Sequence, residues 1–338
     1  MSLEEFLAEW HNDSPTLLVH TSGSTGQPKP MLVEKRRMKA SARMTCRFLG
    51  LQPGDTALLC MSLDYIAVKM MVFRDLTCGL ELITVPPSGN PLGTVAGHID
   101  FAAMVPLQVY NSLQVPEERE CLKAIRHLII GGGAIDAELE RALADFPNPV
   151  YSTYGMTETL SHIALRRLNG PERSDWYTPF DGVRLSLNDD GCLVIDAPTV
   201  HDGTLVTNDI AELRPPLQSE RAGKVAFRIL GRKDNVICSG GIKIQIEEVE
   251  RLLRSCVRVP FIITKVPDVR LGEQVVMLTE SSDTATLQAI CRNVLPKYWL
   301  PRHILTVPHI PMTATGKPAR HEAQQLATSL CDNDGLAF

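Results

Sequence analysis

Apolar positions in the first two thirds of the chain follow two rhythms. Short runs that read as strands, TLLVH (16–20), TALLCM (56–61), LELITV (80–85), FAAMVP (101–106), HLIIGGG (127–133) and PVYSTYG (149–155), are interspersed with stretches of helical spacing at 34–49, 67–76 and 136–146. A near-continuous apolar run suits a strand buried on both faces. Its alternation with helices predicts an α/β fold with a mainly parallel sheet. From about residue 178 the period shortens to two. GVRLSLNDDGCLVIDAP (182–198) alternates on either side of a DDG turn and predicts a hairpin, which LVTNDIAEL and KVAFRILGR extend into a β-rich subdomain. After Gly231 the pattern changes again. IEEVERLLRSC (246–256) has amphipathic helical spacing, FIITKVPD (261–268) and EQVVMLTE (273–280) read as strands, and TLQAICRNVLPKYWLP (286–301) reads as a helix stopped by proline. A loop, PMTATGKPARH (311–321), comes near the end. This last part is predicted to be a second, smaller α+β domain with its boundary in a turn-rich segment.

Composition narrows the function classes. The chain has 338 residues, 44% of them hydrophobic, and a net charge of −5 with both signs mixed along its length. Without a long basic run, nucleic acid and anionic membrane surfaces are poor partners. The most apolar stretch, ALLCMSLDYIAVKMMVF (57–73), is interrupted by Asp64 and Lys69 and does not read as a membrane span. The start, MSLEEFLAEW, is acidic and amphipathic, unlike a signal peptide. Nine scattered cysteines lack a C-x-x-C pair, which suits thiols in a reducing compartment and a cytoplasmic location.

Several stretches carry candidate chemistry. In TSGSTGQPK (21–29), Gly23 and Gly26 let backbone N–H groups converge, Thr21, Ser22, Ser24 and Thr25 supply hydroxyls, and Lys29 supplies a movable charge. Such a nest suits a polyphosphate; the bland alternative is a polar surface loop. It departs from the G-x-x-x-x-G-K-[ST] loop, because Pro28 and Pro30 flank Lys29. In STYGMTETLSH (152–162), Tyr154 offers a flat ring and Glu158 a carboxylate suited to Mg²⁺, yet T-E-T also reads as an ordinary helix start. IIGGGAI (129–135) puts bare backbone where a planar ring could lie, or makes a tight turn. Asp209 ends T-N-D and could accept two ribose hydroxyls, or simply shape a turn. Lys317 sits in a Gly/Thr loop, where a surface lysine is the default.

Taken in order, TSGSTGQPK, YGMTE (154–158), T-x-D (207–209), G-R-x-D (231–234), Gly-Gly-x-K (240–243) and T-x-x-G-K (313–317) span nearly the whole chain. In this combination the sequence resembles the adenylate-forming superfamily of acyl- and aryl-CoA synthetases, firefly luciferase and peptide-synthetase adenylation domains. CMSLDYIAVKMMVFRDL, YGMTETLSHIALR, TLVTNDIAEL and LGRKDNVICSGGIKI look most like the o-succinylbenzoate–CoA ligases of menaquinone synthesis.

The resemblance implies an ATP-dependent acid–CoA ligase. A carboxylate attacks ATP to give acyl-AMP and pyrophosphate, and the CoA thiol then displaces AMP. The alternatives are another aryl- or medium-chain acyl-CoA synthetase, or a catalytically silent nucleotide-binding relative. By family likeness, Thr21, Ser22, Gly23, Ser24, Thr25, Gly26 and Lys29 wrap the β- and γ-phosphates. Gly132, Gly133 and Ala134 line the adenine and Tyr154, followed by Gly155, stacks on it. Thr157 meets the α-phosphate, Glu158 holds Mg²⁺, and Asp209 and Arg232 hold the ribose. Lys317 bridges carboxylate and α-phosphate, and Gly240 and Gly241 match the pantetheine tunnel. Residues 1–231 then bind ATP and acid, 232–234 form a hinge at Asp234, and 235–338 form a mobile C-terminal domain. ATP, Mg²⁺ and CoA are the implied cofactors and co-substrates, and a homodimer is among the assemblies the family suggests.

Two departures bear on the acid. Relatives carry a large portion ahead of the phosphate loop, where this chain has about twenty residues: either a naturally compact form or a truncation, and in both cases the resemblance does not extend to the outer wall of the acid pocket or to dimers. Tyr65 stands where the family usually has histidine. Lys69, Arg74 and His162 are candidate partners for a second substrate carboxylate, with Ser161 beside them; each equally reads as a structural or surface residue.

Overall fold

The structure, a computed structural model, describes residues 2–20, 30–133, 135–215, 225–313 and 318–333. The elements begin with α1 (Leu3–His11), β1 (Thr16–His20), β2 (Pro30–Glu34), α2 (Lys35–Leu49), β3 (Thr56–Leu59), α3 (Ile66–Cys78) and β4 (Glu81–Thr84). They continue with β5 (Phe101–Met104), α4 (Pro106–Gln114), α5 (Pro116–Ala124), β6 (His127–Ile130), α6 (Ala137–Leu143), β7 (Val150–Gly155), β8 (His162–Arg167) and β9 (Thr178–Pro179). Next come β10 (Arg184–Leu187), β11 (Cys192–Asp196), β12 (Thr204–Arg214), β13 (Ala226–Arg232), β14 (Val236–Ser239), β15 (Ile242–Gln245) and α7 (Ile246–Arg254). The last are β16 (Phe261–Asp268), β17 (Gly272–Thr279), α8 (Thr284–Val294), β18 (His303–Thr306) and α9 (Arg320–Asn333).

The main sheet has the order β4-β3-β5-β6-β7-β8-β9. Its first five strands are parallel and its last two antiparallel. The parallel strands are short apolar runs because helices cover the sheet: Leu58, Ala102, Met104, Leu128, Ile130 and Val150 share one core with Val109, Leu122, Leu139 and Leu143 of α4, α5 and α6. Pro106 and Pro116 open α4 and α5 at a position where a missing N–H costs nothing. β1 is a strand as expected but pairs only with β2, in a separate two-stranded ribbon. α1 carries a Ser2–Glu5 capping box and lays Phe6 and Trp10 edge-on to Phe73 of α3. The predicted hairpin is β10–β11, and the four-stranded sheet runs β10-β11-β12-β13.

The chain packs as two compact units. Among the described residues, the first comprises Met1–Ser186, Val194–Leu205 and Leu213–Arg228, and the second Leu187–Leu193, Val206–Glu212 and Ile229–Phe338. In the second unit the order is β15-β14-β17-β16, with β18 added parallel to β17. β17 is buried on both faces. Val275 and Met277 join α7 and α8, while Val276 and Leu278 join Ala323, Ala327 and Cys331 of α9. Glu250 of α7 is buried and satisfied. Arg320 of α9 donates to both its oxygens at 2.7 and 2.8 Å, and the Ile263 N–H donates at 3.0 Å. No helix among the described residues is long and apolar enough to cross a membrane.

Candidate active site

In the main sheet β4 lies on one side of β3 and β5 on the other, so the chain's progression reverses beside β3. Open α/β sheets bind ligands outside the carboxyl ends of their strands at such a point. The segments leaving β3, β5, β6 and β7 there are 60–65, 105–106, 131–133 and 156–161. The loop after β6 needs glycine. Gly132 has φ 78°, and a Cβ on Gly131 would fall 2.3 Å from Thr153 Oγ1. At Gly131 the backbone therefore lies close to β7, while Gly132 and Gly133 face Val105 and Pro106.

Residues 156–161 differ from the expected helix start. Thr157–Thr159 form a single 3₁₀ turn, after which the chain folds straight back as β8, antiparallel to β7. The reversal is tight. Leu160 has φ 65°, the one positive value at a non-glycine residue among those described, and such strain concentrates at functional sites. Thr159 Oγ1 accepts from Met156 N at 3.0 Å and donates to Ser161 O at 2.8 Å, which holds the turn from inside. Gly155 is obligatory, because a Cβ there would sit 2.4 Å from Ser161 O and 2.5 Å from His162 Cα. Tyr154 thus lies on a strand, with its ring 5.0 Å from Phe227 and 5.9 Å from Tyr177. Thr157 is buried and Glu158 half-buried.

The same reversal places Ser161 and His162 against Arg74. The Arg74 guanidinium on α3 is 1% exposed. It donates through Nη2 to Thr45 Oγ1 of α2 at 3.1 Å and to Ser161 Oγ at 3.1 Å. His162 Nε2 lies 3.0 Å from Thr45 Oγ1 and His162 Nδ1 3.2 Å from Ser161 Oγ, which closes a four-membered polar ring of side chains. Among the described residues no carboxylate pairs with Arg74, and its Nε has no hydrogen-bond partner. Burial pushes the Arg74 guanidinium down to about 10, with nearby Cys46 and Cys78 acting the other way. Burial, and then the Arg74 charge, hold His162 well below the usual histidine range, so its ring is neutral. A buried cation kept against its desolvation cost, with a donor unused, is a ready partner for an anion.

The other acid-pocket candidates lie elsewhere. Lys69 is buried beneath α1, 5.9 Å from the Phe6 ring, and burial lowers its affinity for a proton while Glu9 and Asp64 oppose that. Tyr65 is the N-terminal cap of α3 and is 42% exposed. Thr45 was missed in the sequence; with Ser41 one turn earlier it puts hydroxyls on the buried side of α2 among Met38, Ala42 and Leu49. The partners of Tyr154, Tyr177 and Phe227, had no sequence signal, since Tyr177 precedes β9 and Phe227 lies on β13, far apart in the chain.

In the second unit, Asp209, Arg232 and Asp234 form one network. Arg232 donates to Asp209 Oδ1 and to Asp234 Oδ2, each at 3.1 Å, and Asn208 also donates to Asp234. Gly240 and Gly241 are the two-residue turn of the β14–β15 hairpin, with φ 55° and 82°. Both values are what a mirror-image turn demands, so the Gly-Gly pair has a local cause whatever else it does. Residues 21–29 (Thr21 to Gly26 and Lys29 included), Ala134 and Lys317 lie outside the described residues. Among the described residues no group of three or more His, Cys, Asp or Glu side chains is arranged around a metal. A lone carboxylate such as Glu158 still fits Mg²⁺, which is commonly bound through one or two carboxylates together with substrate phosphates.

Comparison with known proteins agrees with this layout. The family model for AMP-binding enzymes matches residues 4–207. The chain is 25% identical over 350 residues to the 2-succinylbenzoate–CoA ligase of Geobacillus sp. WCH70, covering 95% of this chain and 71% of that protein. Among solved structures, it is similar to an AMP-forming acyl-CoA synthetase/AMP-acid ligase II-like protein from Dyadobacter fermentans, at 33% identity and TM-score 0.63, covering 96% of this chain and 93% of that one. It also shares the fold of the o-succinylbenzoate CoA synthetase MenE of Bacillus subtilis, solved with ATP and magnesium ion, at 21% identity and TM-score 0.71, covering 90% and 69%. With the family model matched over more than half its length, the chain belongs to the AMP-binding enzyme family.

Proposed function

We propose that this AMP-binding enzyme is an AMP-forming acid–CoA ligase whose acid is o-succinylbenzoate. The CoA ligases of this family join a carboxylate to CoA by way of acyl-AMP, using ATP and Mg²⁺. Two anions must meet in the first step, so fixed donors and positive charge provide most of the rate enhancement. Glu158 would hold Mg²⁺, which neutralises phosphate charge when bound. Thr157 would donate to the α-phosphate, Tyr154 would pack against adenine, and residues 21–29 with Lys29 would hold the departing pyrophosphate. Asp209 and Arg232 would accept and donate to ribose hydroxyls. Lys317 would offset charge at the reacting carboxylate, and a turn about Asp234 would remove it once acyl-AMP has formed and admit the pantetheine arm past Gly240 and Gly241. The enzyme would work in the cytoplasm.

One observation supports this acid above simple fatty or benzoic acids. o-Succinylbenzoate has two carboxylates, one to be adenylated and one left over. Arg74 is a buried guanidinium with no carboxylate partner among the described residues, and Thr45, Ser161 and neutral His162 hold it in place. A retained carboxylate there would satisfy the unused Nε–H. The test is pyrophosphate exchange with a panel of acids. Exchange with o-succinylbenzoate well above benzoate, succinate and medium-chain fatty acids is expected. Exchange confined to simple fatty acids refutes the assignment, and exchange with no acid refutes ligase chemistry.

A further inference from the structure

The four side chains of the polar ring differ in exposure. Thr45, Arg74 and His162 are buried, and Ser161 is the one member that solvent partly reaches. It lies in the segment leaving the carboxyl end of β7, where open α/β sheets bind their ligands. Arg74 Nη2 brings two hydrogens to the ring, Thr45 and Ser161 one hydroxyl hydrogen each, and neutral His162 one N–H. The ring's contacts are Arg74 to Thr45, Arg74 to Ser161, Thr45 to His162 Nε2 and Ser161 to His162 Nδ1. One hydrogen is therefore left over, and the histidine tautomer decides which.

With the proton on Nε2, His162 donates to Thr45 and accepts from Ser161. The Thr45 hydrogen is then left over in a buried site. Its one other acceptor among the described residues is the Ser41 carbonyl at 3.5 Å, too long for a good O–H bond. With the proton on Nδ1, Thr45 donates to Nε2 at 3.0 Å and Nδ1 donates to Ser161 at 3.2 Å. The Ser161 hydrogen is then left over, where water or a ligand can accept it. An unsatisfied donor is costly only when buried, so the second arrangement is the stable one.

We infer that His162 is held as the Nδ1–H tautomer and that the Ser161 hydroxyl is the donor the ring offers to the retained carboxylate of the acid. Arg74 acts through it as well: its Nη2 donates to Ser161 Oγ at 3.1 Å, which polarises the outward O–H. Ser161 is then a specificity-determining residue, and Thr45 and His162 are positioning residues that keep its hydrogen out of the ring. This rests on the reading of the acid as one with a second carboxylate.

The test has two arms. Full-length protein labelled with ¹⁵N-histidine, with His162 assigned by its absence from His162→Gln, should show Nδ1 protonated and Nε2 bare by ¹⁵N NMR. A proton on Nε2 overturns the inference. In the second arm, Ser161→Ala should raise KM for o-succinylbenzoate about 10-fold or more, with kcat little changed and KM for a monocarboxylic acid unmoved. An unchanged KM for o-succinylbenzoate, or an equal rise for both acids, overturns it too. The tautomer is read without any acid, so it stands or falls by itself. A wild-type enzyme inert towards o-succinylbenzoate instead refutes the reading of the acid.

Discussion

Replacing Arg74 by methionine tests the acid assignment directly. The substitution keeps a long side chain in a fully enclosed site and removes only the charge and donors. Both hydrogens of Nη2 are used on Thr45 and Ser161; among the described residues Nη1 makes a 3.5 Å contact with Met71 Sδ and Nε has no hydrogen-bond partner. A substrate carboxylate that reached Nε would meet one strong donor not already committed within the described residues. A hydrogen bond between charged groups contributes about 1.5–3 kcal/mol net, so losing it should raise KM for o-succinylbenzoate roughly 10- to 150-fold. The effect belongs to the second carboxylate, so KM for a monocarboxylic acid should not rise. The fold should not suffer, because Thr45, His162 and Ser161 still bond to one another and a costly buried cation has gone. The assay is pyrophosphate exchange with o-succinylbenzoate and benzoate in parallel, alongside a thermal melt. An equal loss for both acids with an unchanged melt would show that Arg74 serves the common chemistry, and an unchanged KM for o-succinylbenzoate would remove it from recognition altogether.

Three further outcomes follow from the same geometry. The His162 pKa in the folded state lies below its unfolded value, so the unfolded chain protonates first. Stability from this residue is complete above the ordinary value of about 6.5 and declines as pH falls below it, at up to about 1.4 kcal/mol per pH unit. His162→Gln should remove that slope from denaturant melts between pH ~7 and ~5; identical slopes refute the buried neutral ring, since His127 and His303 contribute equally to both proteins. Glu250→Ala strands Arg320 and the Ile263 N–H and should cost about 3–5 kcal/mol in urea unfolding, with a loss under 1 kcal/mol contradicting the buried pairing. Lys317→Ala should lose most adenylation yet still pass preformed acyl-AMP to CoA, and equal loss in both half-reactions would contradict the proposed domain turn.

What the sequence disclosed, and what it hid, divides along physical lines. Period and punctuation are local, so the parallel strands, the β10–β11 hairpin with its DDG turn and the amphipathic α7 were all legible. α9 was not, because its buried stripe is Ala323, Ala327 and Cys331, small side chains that bring the helix close to β16 and β17 but carry little hydrophobic signal. The 3₁₀ turn at Thr157–Thr159 was read as a helix start because T-E-T caps both; what ends it is Leu160 at a positive φ of 65°, with the turn held by the Thr159 hydrogen bonds. The motif residues Tyr154, Thr157 and Glu158 were visible as a string. The polar ring was not, since Thr45, Arg74, Ser161 and His162 come from two helices and a strand start and meet only after β8 folds back on β7. Arg74, Lys69 and His162 looked equivalent as cations near an acid, and tertiary packing separates them. α1 covers Lys69 with an aromatic ring, His162 loses its charge to burial, and Arg74 is the one of the three whose charge is tied to Ser161 beside the strained turn. The proposed recognition of a second carboxylate therefore turns on a guanidinium that no local pattern distinguishes, tied in place by Thr45 and Ser161 and without a carboxylate partner among the described residues.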